Sequence, residues 1–196
     1  MKRIFASLAV AVSTIALTGC LVPEKFTATV KVGNDGSYSY QYSGTTAFVP
    51  AIFELTKTGG TLSPKTEKDL QAMTGQISKS KDVQKATYEG KGRYDVIIAG
   101  VRKPGQQMAL LDAFRIYTDK DGVINISSVA VKESDKAKLA ELGLRINGKL
   151  SVTLPKNAEV LSTNATSSPT LFGLFGTYSW TIGSMEDRPV MKIRLR

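Results

Sequence analysis

Phe26-Thr27-Ala28-Thr29-Val30-Lys31-Val32-Gly33-Asn34-Asp35-Gly36-Ser37-Tyr38-Ser39-Tyr40-Gln41-Tyr42-Ser43 reads as two strands and the turn that joins them. From Phe26 to Val32, apolar and polar side chains alternate. Phe26, Ala28, Val30 and Val32 fall on one face, and Thr27, Thr29 and Lys31 on the other. Successive strand residues point to opposite faces, so this is the pattern of a half-buried strand. Gly33-Asn34-Asp35-Gly36 supplies residues that tolerate positive φ, which is hairpin-turn chemistry. Ser37 to Ser43 alternates again, with Tyr38, Tyr40 and Tyr42 on one side. The folded part of the chain therefore starts as a β-hairpin.

Working outward, Phe48 to Leu55 is short and apolar and fits either a helical turn or a strand, broken by Gly59-Gly60. Ser63 is suited to an N-cap and Pro64 to the first helical position. Leu70, Met73 and Ile77 then recur at helical spacing, which predicts an amphipathic helix over 64–79. Val83 to Val101 is strand-like, centred on Tyr94-Asp95-Val96-Ile97-Ile98. Leu110 to Tyr117 and Val123 to Val131 flank Asp119-Lys120-Asp121-Gly122, a hairpin signature. Ser134 to Leu142 predicts a second, shorter helix stopped at Gly143. Leu144 to Leu154, Val160, Tyr178 to Ile182 and Val190 to Leu195 give further strands. The order β-β-α-β-β-β-α-β-β-β predicts one α+β domain over 26–196. Its sheet is mainly antiparallel, with two helices packed on one face or end.

The 196 residues include no histidine and one cysteine. Without an imidazole there is no Ser-His-Asp or Cys-His nucleophile pair. There is no His-bearing zinc or copper site, and one thiolate builds no metal cage. One Cys also forms no intramolecular disulfide. No metal, cofactor or catalytic residue is assigned. Lys plus Arg number 26 against 17 Asp plus Glu, a formal charge of +9.

The first residues read as an address. Met1-Lys2-Arg3 is a positive n-region, and Ile4 to Leu17 is an uncharged run of 14 residues. A spanning helix needs about 20, so the run has the length of a signal-peptide core. It ends in Leu17-Thr18-Gly19-Cys20, which resembles the lipobox of bacterial lipoproteins: an apolar residue, two small ones, then Cys. The resemblance implies that residues 1–19 are a cleaved signal peptide. Cys20 would then be acylated on its sulfur and its new amino group, the palmitate-type lipid anchor of such proteins. Residues 20–25 would be a short tether. Leu21, where an Asp tends to mark inner-membrane retention in diderm bacteria, implies the periplasmic face of the outer membrane, with the inner membrane as the alternative. Loss of Lys2 and Arg3 lowers the charge from +9 to +7.

Four stretches are candidates for function. Asp119-Lys120-Asp121-Gly122 begins like a calcium loop, but its twelfth residue is Ala130 rather than a Glu, which leaves a hairpin turn. Tyr38, Tyr40 and Tyr42 could form a sugar-stacking platform or a packed face with hydroxyls at its rim. Met191, Ile193 and Leu195 alternate with Lys192, Arg194 and Arg196. That basic stripe suits an anionic lipid or an acidic protein, or else is the solvated face of an edge strand. Leu171-Phe172-Gly173-Leu174-Phe175-Gly176 sets Leu171, Phe172, Leu174 and Phe175 between glycines. It is a loop that touches a membrane or partner, or a segment closing the core. Ser78-Lys79-Ser80-Lys81 matches S-x-x-K without the companion motifs of penicillin-binding proteins. Asp95, Asp112, Glu89 and Glu54 are the acids nearest apolar runs and sit in no motif. No nucleic-acid-binding motif accompanies the basic charge.

Asp35-Gly36-Ser37-Tyr38 after the first strand and Tyr178-Ser179-Trp180-Thr181 in a late strand give the mature chain a layout that resembles the LppM-like domain of envelope lipoproteins. The resemblance implies a compact α+β domain with a lipid-contacting role and carries over no catalytic residue. Members usually have a transmembrane helix after the domain, which the sequence to Arg196 lacks. The expected function is a non-enzymatic, lipid-anchored envelope protein that binds a protein partner or a lipid-like ligand. The alternatives are an exclusion or immunity lipoprotein against phage, plasmid or toxin, and a carboxylate-dependent hydrolase of envelope glycans.

Overall fold

The structure, a computed structural model, describes residues 21–111, 113–170 and 177–196. Its elements run β1 (Leu21–Val32), β2 (Tyr38–Phe48), α1 (Val49–Lys57), α2 (Pro64–Ser78), β3 (Val83–Gly90), β4 (Arg93–Arg102), β5 (Met108–Leu110), β6 (Phe114–Thr118), β7 (Ile124–Ser128), α3 (Glu133–Glu141), β8 (Asn147–Thr153), β9 (Ala158–Thr163), β10 (Tyr178–Ile182) and β11 (Val190–Leu195). This is the expected α+β class, with mainly antiparallel pairing.

The strands divide between two sheets rather than one. The first has the order β10-β8-β1-β2-β4-β3 and the second β5-β6-β7-β11-β9. Only the β1–β8 pair is parallel among the described pairings. Apolar side chains of both sheets form one core: Val30, Tyr40, Val96 and Leu150 from the first meet Ile116, Ile126, Met191 and Ile193 from the second. The helices share that inner side of the first sheet. The Tyr94 hydroxyl donates to the Leu70 carbonyl of α2 at 2.8 Å. A smaller core joins Ala51, Ile52 and Leu55 of α1 to Leu62, Leu70 and Leu144. Thr27, Thr29, Gln41 and Ser43 stay exposed on the opposite, outer face of the sheet.

Local chemistry explains most element ends. The Ser63 hydroxyl accepts from Thr66 N at 3.0 Å and Pro64 opens α2. Asp35 accepts from Ser37 N at 3.0 Å, and Gly36 sits at φ 84°, closing the β1–β2 turn.

Four features differ from the sequence reading, and one that it left open, Phe48 to Leu55, is decided. Leu21 to Lys25 is the first part of β1, not a tether; its strand bonds to β2 are kept across a register shift between Pro23 and Lys25. That bulge flips parity, so Leu21 and Pro23 point inward, as do Phe26 and Ala28 after it. Phe48 to Leu55 resolves as helix α1, because Pro50 suits a helix's first turn. The Val83–Val101 stretch is two strands, split by Gly90-Lys91-Gly92, all at positive φ. Leu110 to Tyr117 is likewise broken after Leu110. Finally, β11 lies between β7 and β9, so it is not an edge strand.

Phe26 organises the centre of the first sheet. Its neighbours in register are Gly44 on β2 and Gly148 on β8. The ring lies over Gly148, where a Cβ would meet ring carbons at 2.3 Å. It stacks on Tyr42 with 5.4 Å between centroids and meets Phe114 of the second sheet edge-on at 5.7 Å. Two glycines thus make room for one aromatic that ties the sheets together.

Candidate ligand cavity

Phe26 also walls a cavity of about 200 Å³. Leu21 and Pro23 of β1, Phe114 of β6, Leu139 of α3, Ile146 just before β8, and Ile182 of β10 make its surface largely apolar. Ser128 of β7 also lines it, and its buried Oγ has no hydrogen-bond partner among the described residues. Asp187 lies at the wall, but its Oδ2 already accepts from Gly183 N at 2.8 Å and Ser184 N at 2.9 Å. Those bonds hold its carboxyl below the usual carboxylate range. The cavity therefore offers apolar surface and one hydroxyl with no partner among the described residues.

A second cavity, of about 240 Å³, lies between α2, β4 and the end of β5. It shares Leu21 and Leu111 with the first. Leu111 sits at φ 47°, which is strained for a bulky side chain. The rim is polar. Tyr40 donates to Asp82 Oδ2 at 2.8 Å, Arg102 pairs with the same carboxylate, and the guanidinium lies 5.1 Å above the Tyr40 ring. Gly100 makes this possible: a Cβ there would stand 2.7 Å from the Tyr40 hydroxyl and 2.8 Å from Asp82 Oδ1. The Arg102 guanidinium holds the Asp82 carboxyl low, with the Tyr40 hydrogen bond adding to it. Burial, followed by the bond to Asp82, raises the Tyr40 hydroxyl well above its ordinary value. Burial pushes Tyr38 up to about 12.

The tyrosine row is thus a packed face. Tyr38, Tyr40 and Tyr42 are all buried, under the second sheet and the polar rim. Asp119 is a turn residue: its Oδ1 accepts from Val123 N at 2.9 Å and Asp121 N at 3.0 Å, and its Oδ2 from Asn125 at 3.1 Å. Among the described residues no group of three His, Cys, Asp or Glu is placed to hold a metal ion. In the basic stripe Lys192, Arg194 and Arg196 are exposed, while Met191 and Ile193 are fully buried. Arg196 pairs with Glu159 at 3.2 Å. Ser78 and Lys81 are both exposed, at the end of α2 and beyond it. Cys20, Asp112, Leu171, Phe172, Leu174 and Phe175 lie outside the described residues. Of the remaining acids near apolar runs, Asp95 faces outward on β4, Glu54 accepts from Thr66 at 3.3 Å, and Glu89 is exposed.

The cavity walls escaped the sequence reading because they come from β1, β6, β7, α3 and β10 at once. The interior glycines were the available signal. Gly44, Gly100 and Gly148 interrupt strand patterns where a side chain or backbone approaches closely. In comparisons with known proteins, no family model and no curated protein matches the chain.

Proposed function

We propose that the chain is a non-enzymatic lipoprotein of the bacterial envelope, anchored through Cys20, that holds a lipid-like ligand between its two sheets. The observation that carries this reading is the apolar cavity bounded by Leu21, the residue next to Cys20. Burying one methylene stabilises by ~0.8 kcal/mol, so an apolar chain entering such walls binds through its hydrocarbon. The Ser128 hydroxyl supplies one polar contact for an ester or amide group. A lipid-like ligand is favoured over a protein partner because the apolar surface is concave and recessed. The outer-membrane location rests on Leu21 at the position after the Cys.

Two experiments test the reading. Cys20→Ala should leave the membrane fraction or accumulate as precursor; an unchanged, fully processed membrane pool refutes the lipid anchor. Titration of the purified chain with a fluorescent fatty acid such as cis-parinaric acid should show saturable binding. Ser128→Leu, which projects into the cavity, should abolish it without a fall in thermal stability. Equal probe binding by Ser128→Leu refutes the cavity as the site.

A further inference from the structure

Helix α1 carries apolar residues on both sides. Ala51, Ile52 and Leu55 are buried in the smaller core. On the outward side Pro50 and Lys57 are exposed and Phe53 is 50% exposed, while Val49 packs against the smaller core. Pro50 and Phe53 thus leave apolar surface in water beside the cationic end of the helix. Lys57 Nζ stands 4.1 Å from the centre of the Phe53 ring, so the exposed aromatic is paired with a cation. The position of the helix matters as much as its surface. Phe48, the residue before α1, is the register partner of Leu21. Consecutive Cα atoms are about 3.8 Å apart, so α1 starts beside the point where Cys20 joins the fold.

That end of the molecule is also cationic. A groove of about 600 Å³ runs over Lys25, Thr45, Arg93, Arg145 and Glu24. Glu24 is taken by Arg93, which bonds its two oxygens at 2.8 and 3.0 Å. Lys25 and Arg145 are exposed and form no ion pair among the described residues. Phe48 N bonds to Gly92 O at 2.8 Å, which brings the β3–β4 turn, with exposed Lys91, against the start of α1.

We infer that this end of the molecule is a bilayer-docking face, with Phe53 at the acyl boundary and Lys57, Lys25, Lys91 and Arg145 on anionic phospholipid headgroups. Aromatic and aliphatic side chains flanked by cations are the composition of helices that lie in the membrane interface. The inference rests on the anchor reading for its geometry, since Cys20 fixes which end meets the bilayer. Docked this way, Leu21 and Pro23, which line the cavity, lie on the side of the fold nearest the membrane surface.

The test places a tryptophan at position 53 or at position 101 of the full chain. Val101, 71% exposed at the far end of β4, is the control position. Each purified variant is mixed with phosphatidylethanolamine–phosphatidylglycerol vesicles whose acyl chains are brominated. Trp180, buried in the core, gives a constant background. We expect Phe53→Trp to be quenched about twofold or more over Val101→Trp, and less in vesicles without phosphatidylglycerol. Equal or weaker quenching at 53 overturns the inference, including the case in which α1 is shielded by a protein neighbour. Equal quenching with and without phosphatidylglycerol overturns the headgroup assignment. Intact mass of the same sample reports acylation of Cys20 separately, so failure of the anchor and failure of the docking face are read independently.

Discussion

Gly148→Ala tests the arrangement that joins the two sheets and walls the cavity. The added Cβ would lie 2.3, 2.4 and 2.6 Å from three carbons of the Phe26 ring. Ordinary contact begins at about 3.4 Å, so the ring must retreat by roughly 1 Å. Tyr42 stacks on it at 5.4 Å and Phe114 abuts it at 5.7 Å, so it can retreat only toward the cavity and at the cost of those two contacts. Overpacking of this kind costs about 1–3 kcal/mol. For a domain of this size that lowers the melting temperature by about 2–12 °C. The same substitution in a Phe26→Ala background should reverse sign. Gly148 has no positive φ, and adding a Cβ to a strand glycine without a clash stabilises by about 0.4–1 kcal/mol. Guanidinium denaturation of wild type, both single variants and the double variant gives the coupling, expected at about 1.5 kcal/mol or more. A Gly148→Ala variant within about 0.5 kcal/mol of wild type, or one equally destabilising with and without Phe26, refutes the packing argument.

Three further outcomes can be measured on the same preparations. Tyr42 buries a hydroxyl without a partner among the described residues, whereas Tyr94 donates to Leu70 O. Tyr42→Phe should therefore be neutral or stabilising by up to about 1 kcal/mol, and Tyr94→Phe destabilising by about 1 kcal/mol; the opposite order in a urea titration contradicts the bonding described. Asn164 accepts from Trp180 Nε1 and Val190 N, each at 2.8 Å, and donates to Arg188 O at 2.7 Å. Asn164→Ala should cost about 2–4 kcal/mol and red-shift the Trp180 emission, and a cost below about 1 kcal/mol with unchanged emission counts against this hub. The ionised Asp82 is favoured in the fold, so its stabilisation is present above its ordinary value near pH 4 and is lost as pH falls through the lower folded value. The stability gap between wild type and Asp82→Asn should accordingly close below about pH 4, and a constant gap from pH 7 to 2 would remove the ion pair from the account.

Much of the fold was legible because its signals are local. Alternation over Phe26–Val32 and Ser37–Ser43 maps directly onto the buried faces of β1 and β2. Ser63 and Pro64 start α2 where capping chemistry places them, and Gly143, at φ 70°, follows the end of α3. Phe48 to Leu55 was ambiguous because a short, almost wholly apolar run satisfies both periods, and the choice fell to packing against Leu62 and Leu144. The stripe of Met191, Ile193 and Leu195 correctly marked an inward face, but nothing local revealed that β9 covers the other flank of β11.

The site was less legible. Asp82 and Arg102 are ordinary charges 20 positions apart in sequence, joined only when β3 and β4 pair. Leu21 to Lys25 read as a tether because alternation breaks at the Glu24 bulge, and a bulge has no residue signature of its own.

The sequence by itself determined the strand-rich α+β class, the turn positions, the basic charge and the exclusion of imidazole chemistry, since each follows from residue type and spacing along the chain. Tertiary structure alone decided that the strands form two sheets, that the tyrosines are core rather than platform, and that Leu21 stands between two cavities. Those outcomes depend on which distant strands pair and which faces close on each other, and the free energy that selects among pairings is shared across the whole core.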